Sequence, residues 1–158
     1  MSSTTLDSVL ANVPYGTCPL PGIGAAGQLR ASDWQALADA GVRTIVDLRP
    51  ETEPHGHDEP AAVRAAGMAY VTLPVTQFTL GDAQFDALRE LLRDPARRPI
   101  VVHCASSNRV GALLLPYFAL DEGRPLEQAL ELAVDAGLRS QDLASMAVDY
   151  VRRHAASA

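Results

Sequence analysis

The residues best suited to chemistry in this sequence are a cysteine and an arginine with four residues between them, Cys104-Ala-Ser-Ser-Asn-Arg109. An apolar run, Ile100-Val-Val-His103, precedes the pair, and a second apolar run begins at Val110. That order reads as a buried strand, a tight polar loop and a helix. Ligands of open α/β sheets bind beyond the carboxyl ends of the strands. The first turn of a helix starting there has backbone N–H groups without intrahelical partners, and its dipole adds partial positive charge. Such a cradle selects an anion, and Arg109 adds a cation whose planar fork matches an oxyanion. The same groups favour a thiolate at Cys104, a nucleophile aimed at whatever the loop holds. A buried, inert cysteine ahead of a helix is the competing reading. The full order of strand, His-Cys, small polar residues, Arg and apolar helix is more specific than that reading requires.

Other candidates surround this segment. Arg49 and Glu53 lie just past the end of a second strand-like run, where they either shape the site or form a surface ion pair. His55, His57 and Asp58 have the composition of a zinc loop but lack a completing ligand, so a solvated loop is expected. The other cysteine, Cys18, would be a resolving thiol only if it folded over Cys104. Two cysteines make no disulfide framework, which implies a reducing, cytoplasmic setting. The 13 basic residues are all arginines, which excludes Schiff-base and phosphate-loop lysine chemistry. A net charge of −6 argues against nucleic acid and anionic membranes as partners. No run of about 18 apolar residues exists, and no signal peptide opens the chain. The expected partner is a small anionic substrate or a phosphorylated protein, with no metal and no organic cofactor; the oligomeric state is not legible.

The elements that must position the loop follow from pattern. The 158 residues, 47% hydrophobic and 20% charged, suit one globular domain. Residues 1–12 read as a flexible tail and 13–158 as a single domain. Asn12 to Leu29, rich in Gly and Pro, reads as irregular with one short strand. Ser32 is expected to cap a helix bearing Trp34, Leu37 and Ala38, ended by Gly41. Val42–Leu48 and Ala69–Val75 read as strands, with a helix through Ala61–Ala66 between them. Thr79 with Asp82 resembles a cap for a helix carrying Phe85, Leu88 and Leu92. The helix after Arg109 is apolar all round, hence central, and Pro116 should kink it. Two amphipathic helices close the chain. Leu126, Ala129, Leu130, Ala133 and Val134 mark one; Leu143, Met146, Ala147, Tyr150 and Val151 mark the other. Alternating strands and helices imply an α/β fold, a small mostly parallel sheet flanked by helices.

The segment HCASSNRVG resembles the signature loop of cysteine-dependent phosphatases of the dual-specificity kind. It is closer still to the phosphatase-like domain of bacterial beta-lactamase-hydrolase-like proteins. GQLRASDWQALADAGVRTIVDLRPETE, GMAYVTLPV and EQALELAVDAGL extend the resemblance over most of the chain from Gly27. It implies a dual-specificity-phosphatase fold and a phosphohydrolase in which Cys104 attacks a phosphoester and Arg109 clamps the oxyanion. It also implies anion binding by the backbone of Ala105, Ser106, Ser107, Asn108 and Arg109, continued by Val110 and Gly111, with His103 tuning the thiol. Gly111 should also let the helix pack closely on the sheet.

The sequence departs from that pattern at four points. Such phosphatases place five residues between Cys and Arg. The four found here match rhodanese-like sulfurtransferases, whose guest is a persulfide sulfur, and sulfur transfer is the alternative activity. A non-catalytic anion-binding module is the third reading. Val110 replaces the hydroxyl residue that usually follows Arg. Pro74–Thr79 lacks the expected general-acid Asp; Asp82 is the nearest candidate, with a competing role at a helix N-terminus. Ser107 stands where relatives carry Gly, at a cost on the order of 1 kcal/mol if that position needs positive φ.

Overall fold

A strand buried on both faces belongs in the middle of a parallel sheet, and Ile100–His103 takes that place. The computed structural model describes residues 5–155. Its strands are β1 (Thr17–Leu20), β2 (Ile23–Ala26), β3 (Thr44–Asp47), β4 (Ala69–Thr72) and β5 (Ile100–His103). They form one five-stranded sheet in the order β1-β2-β5-β3-β4. β2, β5, β3 and β4 are parallel; β1 is antiparallel to β2. Register puts Ala26, His103, Asp47 and Thr72 in one row at the carboxyl ends. The loops leaving these four strands therefore emerge together, and the site is built from them.

Side chains of β5 alternate between two cores, as the period of two requires. Ile100 and Val102 pack with Phe85, Leu88, Leu113 and Tyr150. Val101 packs with Trp34, Leu37 and Val63 on the opposite face. The first layer holds helices α4 (Asp82–Arg93), α5 (Asn108–Pro116), α6 (Leu126–Asp135) and α7 (Gln141–Ala155). The second holds α1 (Leu6–Leu10), α2 (Asp33–Asp39) and α3 (Glu59–Ala65). No described helix is long and apolar enough to cross a membrane.

Several expectations are corrected. Residues 1–4 of the supposed tail lie outside the described residues, but the rest of it contains a helix. Thr5 and Ser8 form a reciprocal cap for α1, and Leu10 is fully buried. Gly24 makes this possible, since a Cβ there would meet Leu10 Cδ1 at 2.7 Å. The Gly/Pro-rich segment after it carries a hairpin of two strands, β1 and β2, because Pro and Gly punctuate an edge strand without abolishing it. Ser32 makes no capping bond; Asp33 instead accepts from the Arg30 amide at 2.7 Å. Thr79 bonds within its own turn to Thr76, while the Gln84 side chain accepts from the Gly81 amide ahead of α4. Asp58 starts α3 two residues earlier than expected. After Pro116 the chain widens into a π-helical turn, Tyr117–Asp121, which accommodates the missing proline N–H. Met146 and Val134, assigned to the core stripes, are exposed.

Candidate functional site

Four loops meet at the carboxyl ends of β2, β5, β3 and β4, and each supplies part of one site. The loop after β5, residues 104–107, is stitched to the loop after β2: Gln28 N–H donates to Ala105 C=O at 3.0 Å, and Gly27 bridges Ser106. Gly27 is required there, since a Cβ would meet Ala105 O and Tyr15 Cδ2, each at 2.8 Å. Among the described residues, the amides of Ala105 and Ser106 donate to no protein acceptor. Asn108, Arg109 and Val110 form the first turn of α5 and have no intrahelical acceptor. Gly111 does not join this set, because its amide is spent on Ser107 C=O at 3.1 Å. Nor does Gly111 serve contact with the sheet. A Cβ there would meet Ala133 O and Leu138 N at 2.6 Å, so it lets α5 approach the α6–α7 connection.

Ser107 adopts the left-handed conformation, φ 64° and ψ 2°. The sequence comparison of Ser with Gly anticipated the strain; the compensation lies elsewhere. Ser107 Oγ donates to Ala136 C=O at 2.6 Å, and its backbone is packed against Gly137. A Cβ on Gly137, itself at φ 120°, would stand 2.6 Å from Ser107 O. Gly137→Ala is therefore expected to destabilise the protein by about 1–3 kcal/mol, readable as a lower midpoint in thermal unfolding. The side chains of Ser106 and Asn108 also serve structure: Asn108 Oδ1 accepts the amides of Arg139 and Ser140, and Ser106 accepts from Arg139. Among the described residues, the loop groups left without a protein partner are therefore backbone amides rather than these two side chains.

Cys104 follows β5 and is fully buried, with Val102 and Val110 in its core cluster. Arg109 lies beside it. Bonding to Glu53 holds the Arg109 pKa above its ordinary value; burial opposes this, and the neighbouring Cys104 charge adds to the rise. Arg109 Nη1 and Nη2 form a fork on Glu53 at 2.6 and 2.9 Å, and Nη1 also donates to Val75 C=O at 3.0 Å. A guanidinium has five N–H donors. These contacts use the end of the group and leave the Nε–H and one Nη2–H, which share the other edge. Glu53 and the loop after β4 thus orient Arg109 and leave it one bidentate face.

The remaining candidates fall elsewhere. Arg49 pairs with Asp47 (3.0 Å) and Glu59 (2.7 Å), fully buried, and among the described residues forms no ion pair with Glu53. His103 points to the face opposite Cys104: its Nε2 lies 2.6 Å from Glu59 Oε2, and its ring is beside Trp34. Among the described residues, His103 makes no hydrogen bond to the thiol. Asp47, Glu59 and His103 bring three ligand atoms within 4.8 Å of one another. The Arg49 guanidinium bonded to both carboxylates makes the cluster a poor cation site, and sequence reasoning did not foresee it. Asp82 is engaged by Arg153 at 2.8 Å, near the start of α4, and its pKa is lowered by that bond. His57 accepts from Trp34 Nε1 at 2.8 Å and His55 approaches Pro50 C=O, so the histidine loop is tied down rather than freely solvated. Cys18 sits on β1, its thiol pushed up to about 11 by burial and by Asp7, and it is no resolving partner.

Comparison with known proteins agrees with this architecture. A Beta-lactamase hydrolase-like protein of Agrobacterium fabrum is 32% identical over 100 residues, 61% of this chain and 23% of that protein. The chain thus spans under a quarter of the length of the curated relatives it matches. A DUF442 protein from Shewanella putrefaciens superposes with a TM-score of 0.77 at 20% identity, covering 92% of this chain and 96% of its own. TpbA of P. aeruginosa, crystallised with pTyr, superposes with a TM-score of 0.68 at 21% identity and 88% coverage of both chains. The model of the family described as DSP-PTPase phosphatase fused to NAD+ kinase matches residues 24–148. That span contains all four site loops and the helices that brace them, and the chain belongs to that family.

Proposed function

We propose that this protein is a cysteine-dependent phosphohydrolase acting on small aryl phosphoesters or a phosphorylated protein. The observation that carries the reading is Arg109 beside Cys104, its end fork held by Glu53 and its other edge left for two oxygens of an anion. The phosphoryl group sits on the amides of Ala105, Ser106, Asn108, Arg109 and Val110. Cys104 Sγ attacks phosphorus, the P–O ester bond breaks, and the alcohol leaves with its electron pair and takes up a proton. Water then cleaves the cysteinyl phosphate to release phosphate and restore the thiol. Asp82 is committed to Arg153, so esters with acidic leaving groups are the favoured substrates, because they need least help from a general acid. The pTyr held by TpbA is such an ester.

The four-residue spacing supports a second reading, persulfide transfer through the same sulfur. One preparation of reduced protein distinguishes the two. Acid-quenched during turnover of p-nitrophenyl phosphate, it should carry one phosphoryl group on Cys104 by intact mass and peptide mapping. Treated with thiosulfate or glutathione persulfide, it should remain unmodified. A sulfur adduct on Cys104 without turnover of the ester would overturn the phosphohydrolase in favour of sulfur transfer. Neither adduct, with anion binding retained, would leave a binding module.

A further inference from the structure

A second cation is fixed at the rim of the loop. Arg139, in the connection between α6 and α7, donates through Nη2 to Ser106 O at 3.1 Å and Ser106 Oγ at 2.8 Å, and through Nη1 to Gly137 O at 3.0 Å. Its Nε–H and one Nη1–H remain uncommitted. It is exposed and forms no ion pair among the described residues, in a chain whose net charge is −6. By contrast, the cation inside the site, Arg109, is already matched by Glu53.

The guanidinium lies 5.4 Å from the centre of the Tyr15 ring. Tyr15 is held at φ 58°, in the left-handed region that non-glycine residues avoid, and it is 58% exposed. Its ring edge lies against Gly27, whose missing Cβ admits both Tyr15 and the Ala105 carbonyl. Residues from opposite ends of the chain are thus brought to the Ala105–Ser106 side of the cradle. One supplies an unmatched positive charge and the other an exposed aromatic surface. A strained, exposed tyrosine contributes little to the core, and its arrangement with an unpaired cation suits recognition.

We infer that Arg139 and Tyr15 form a second anion subsite, and that the substrate is a phosphoester carrying another negatively charged group beside the one that is cleaved. This rests on the phosphohydrolase reading for the reacting phosphoryl group but is testable without turnover. In a Cys104→Ser background, titration calorimetry would compare phenyl phosphate with 3- and 4-carboxyphenyl phosphate. At least one carboxylated ester should bind roughly tenfold more tightly than phenyl phosphate, the value of one charge-assisted hydrogen bond. The advantage should shrink at high salt, disappear in Arg139→Gln and return in part in Arg139→Lys. Tyr15→Leu should weaken it without abolishing it. Equal binding of all three esters by the Cys104→Ser protein would overturn the subsite. So would an Arg139→Gln variant that lowers all affinities equally, which would make Arg139 only a brace for Ser106. A protein that shows the preference yet hydrolyses none of the esters with Cys104 intact would refute the phosphohydrolase and leave the subsite standing.

Discussion

Cys104→Ser is expected to lower the hydrolysis of p-nitrophenyl phosphate by at least about ten-thousandfold while leaving vanadate or phosphate binding measurable. A serine hydroxyl has the shape of the thiol without its acidity, and among the described residues no base is hydrogen-bonded to the side chain at position 104. His103, the obvious one in sequence, is bonded to Glu59 on the other face of the sheet. Arg109 should be nearly as sensitive: Arg109→Met is expected to cost about a hundred- to a thousandfold in kcat. Arg109→Lys should recover little. A guanidinium can hold Glu53 and Val75 with three N–H groups and still offer two on one edge, which a single ammonium cannot reproduce. Steady-state kinetics on variants with unchanged unfolding midpoints would check both. Activity within a few-fold of the parent in Cys104→Ser would refute the nucleophile. The same result in Arg109→Met would refute the clamp.

How much of this was legible in the chain depends on the range of the interaction that decides it. The nucleophile, the arginine and the strand–loop–helix that carries them are contiguous, so their relation is local and visible as spacing. The positive φ of Ser107 was suggested only by the resemblance, whose members carry Gly at that position. The partner of Arg109 was not, because Glu53 reaches it across 56 positions through a loop whose path depends on the sheet order. Placing Glu53 past a strand end brought it near the site but not onto a particular atom. Arg49 was legible only as either a shaper of the site or half of a surface ion pair, yet it is buried by partners at Asp47 and Glu59 that the sequence does not place beside it. His103, which the resemblance makes a tuner of the thiol, is bonded to Glu59 on the other face, because neighbours along an extended chain point to opposite sides. α1 was missed because a five-residue helix is too short to show periodicity, and only its capping pair and Leu10 mark it.

Arg49→Met is expected to destabilise the folded protein by about 3–5 kcal/mol, among the largest single losses open to a residue that touches no substrate. Two carboxylates, Asp47 and Glu59, are buried beside its guanidinium. Removing the cation leaves their charge without its main partner in a region closed to water, and His103 cannot replace a fork that bonds both acids at once. In a domain of this size such a loss should lower Tm by roughly 10 °C. Arg64→Met, an exposed substitution on α3, should stay within about 0.5 kcal/mol of the parent. Acid provides a second measure. Burial pushes the Asp47 pKa up, but bonds from Arg49 and Tyr70 and the charge of His103 outweigh it, holding Asp47 down at about 2 against an ordinary 3.8. A carboxylate depressed in the folded state stabilises fully above its unfolded value and loses that contribution as pH falls toward the folded one. The parent protein should therefore lose stability between about pH 4 and pH 2. Arg49→Met, lacking the group that does most to depress Asp47, should show a shallower loss over that interval in urea unfolding. Equal stability and identical acid profiles of the two proteins would show that the cluster is held by packing alone.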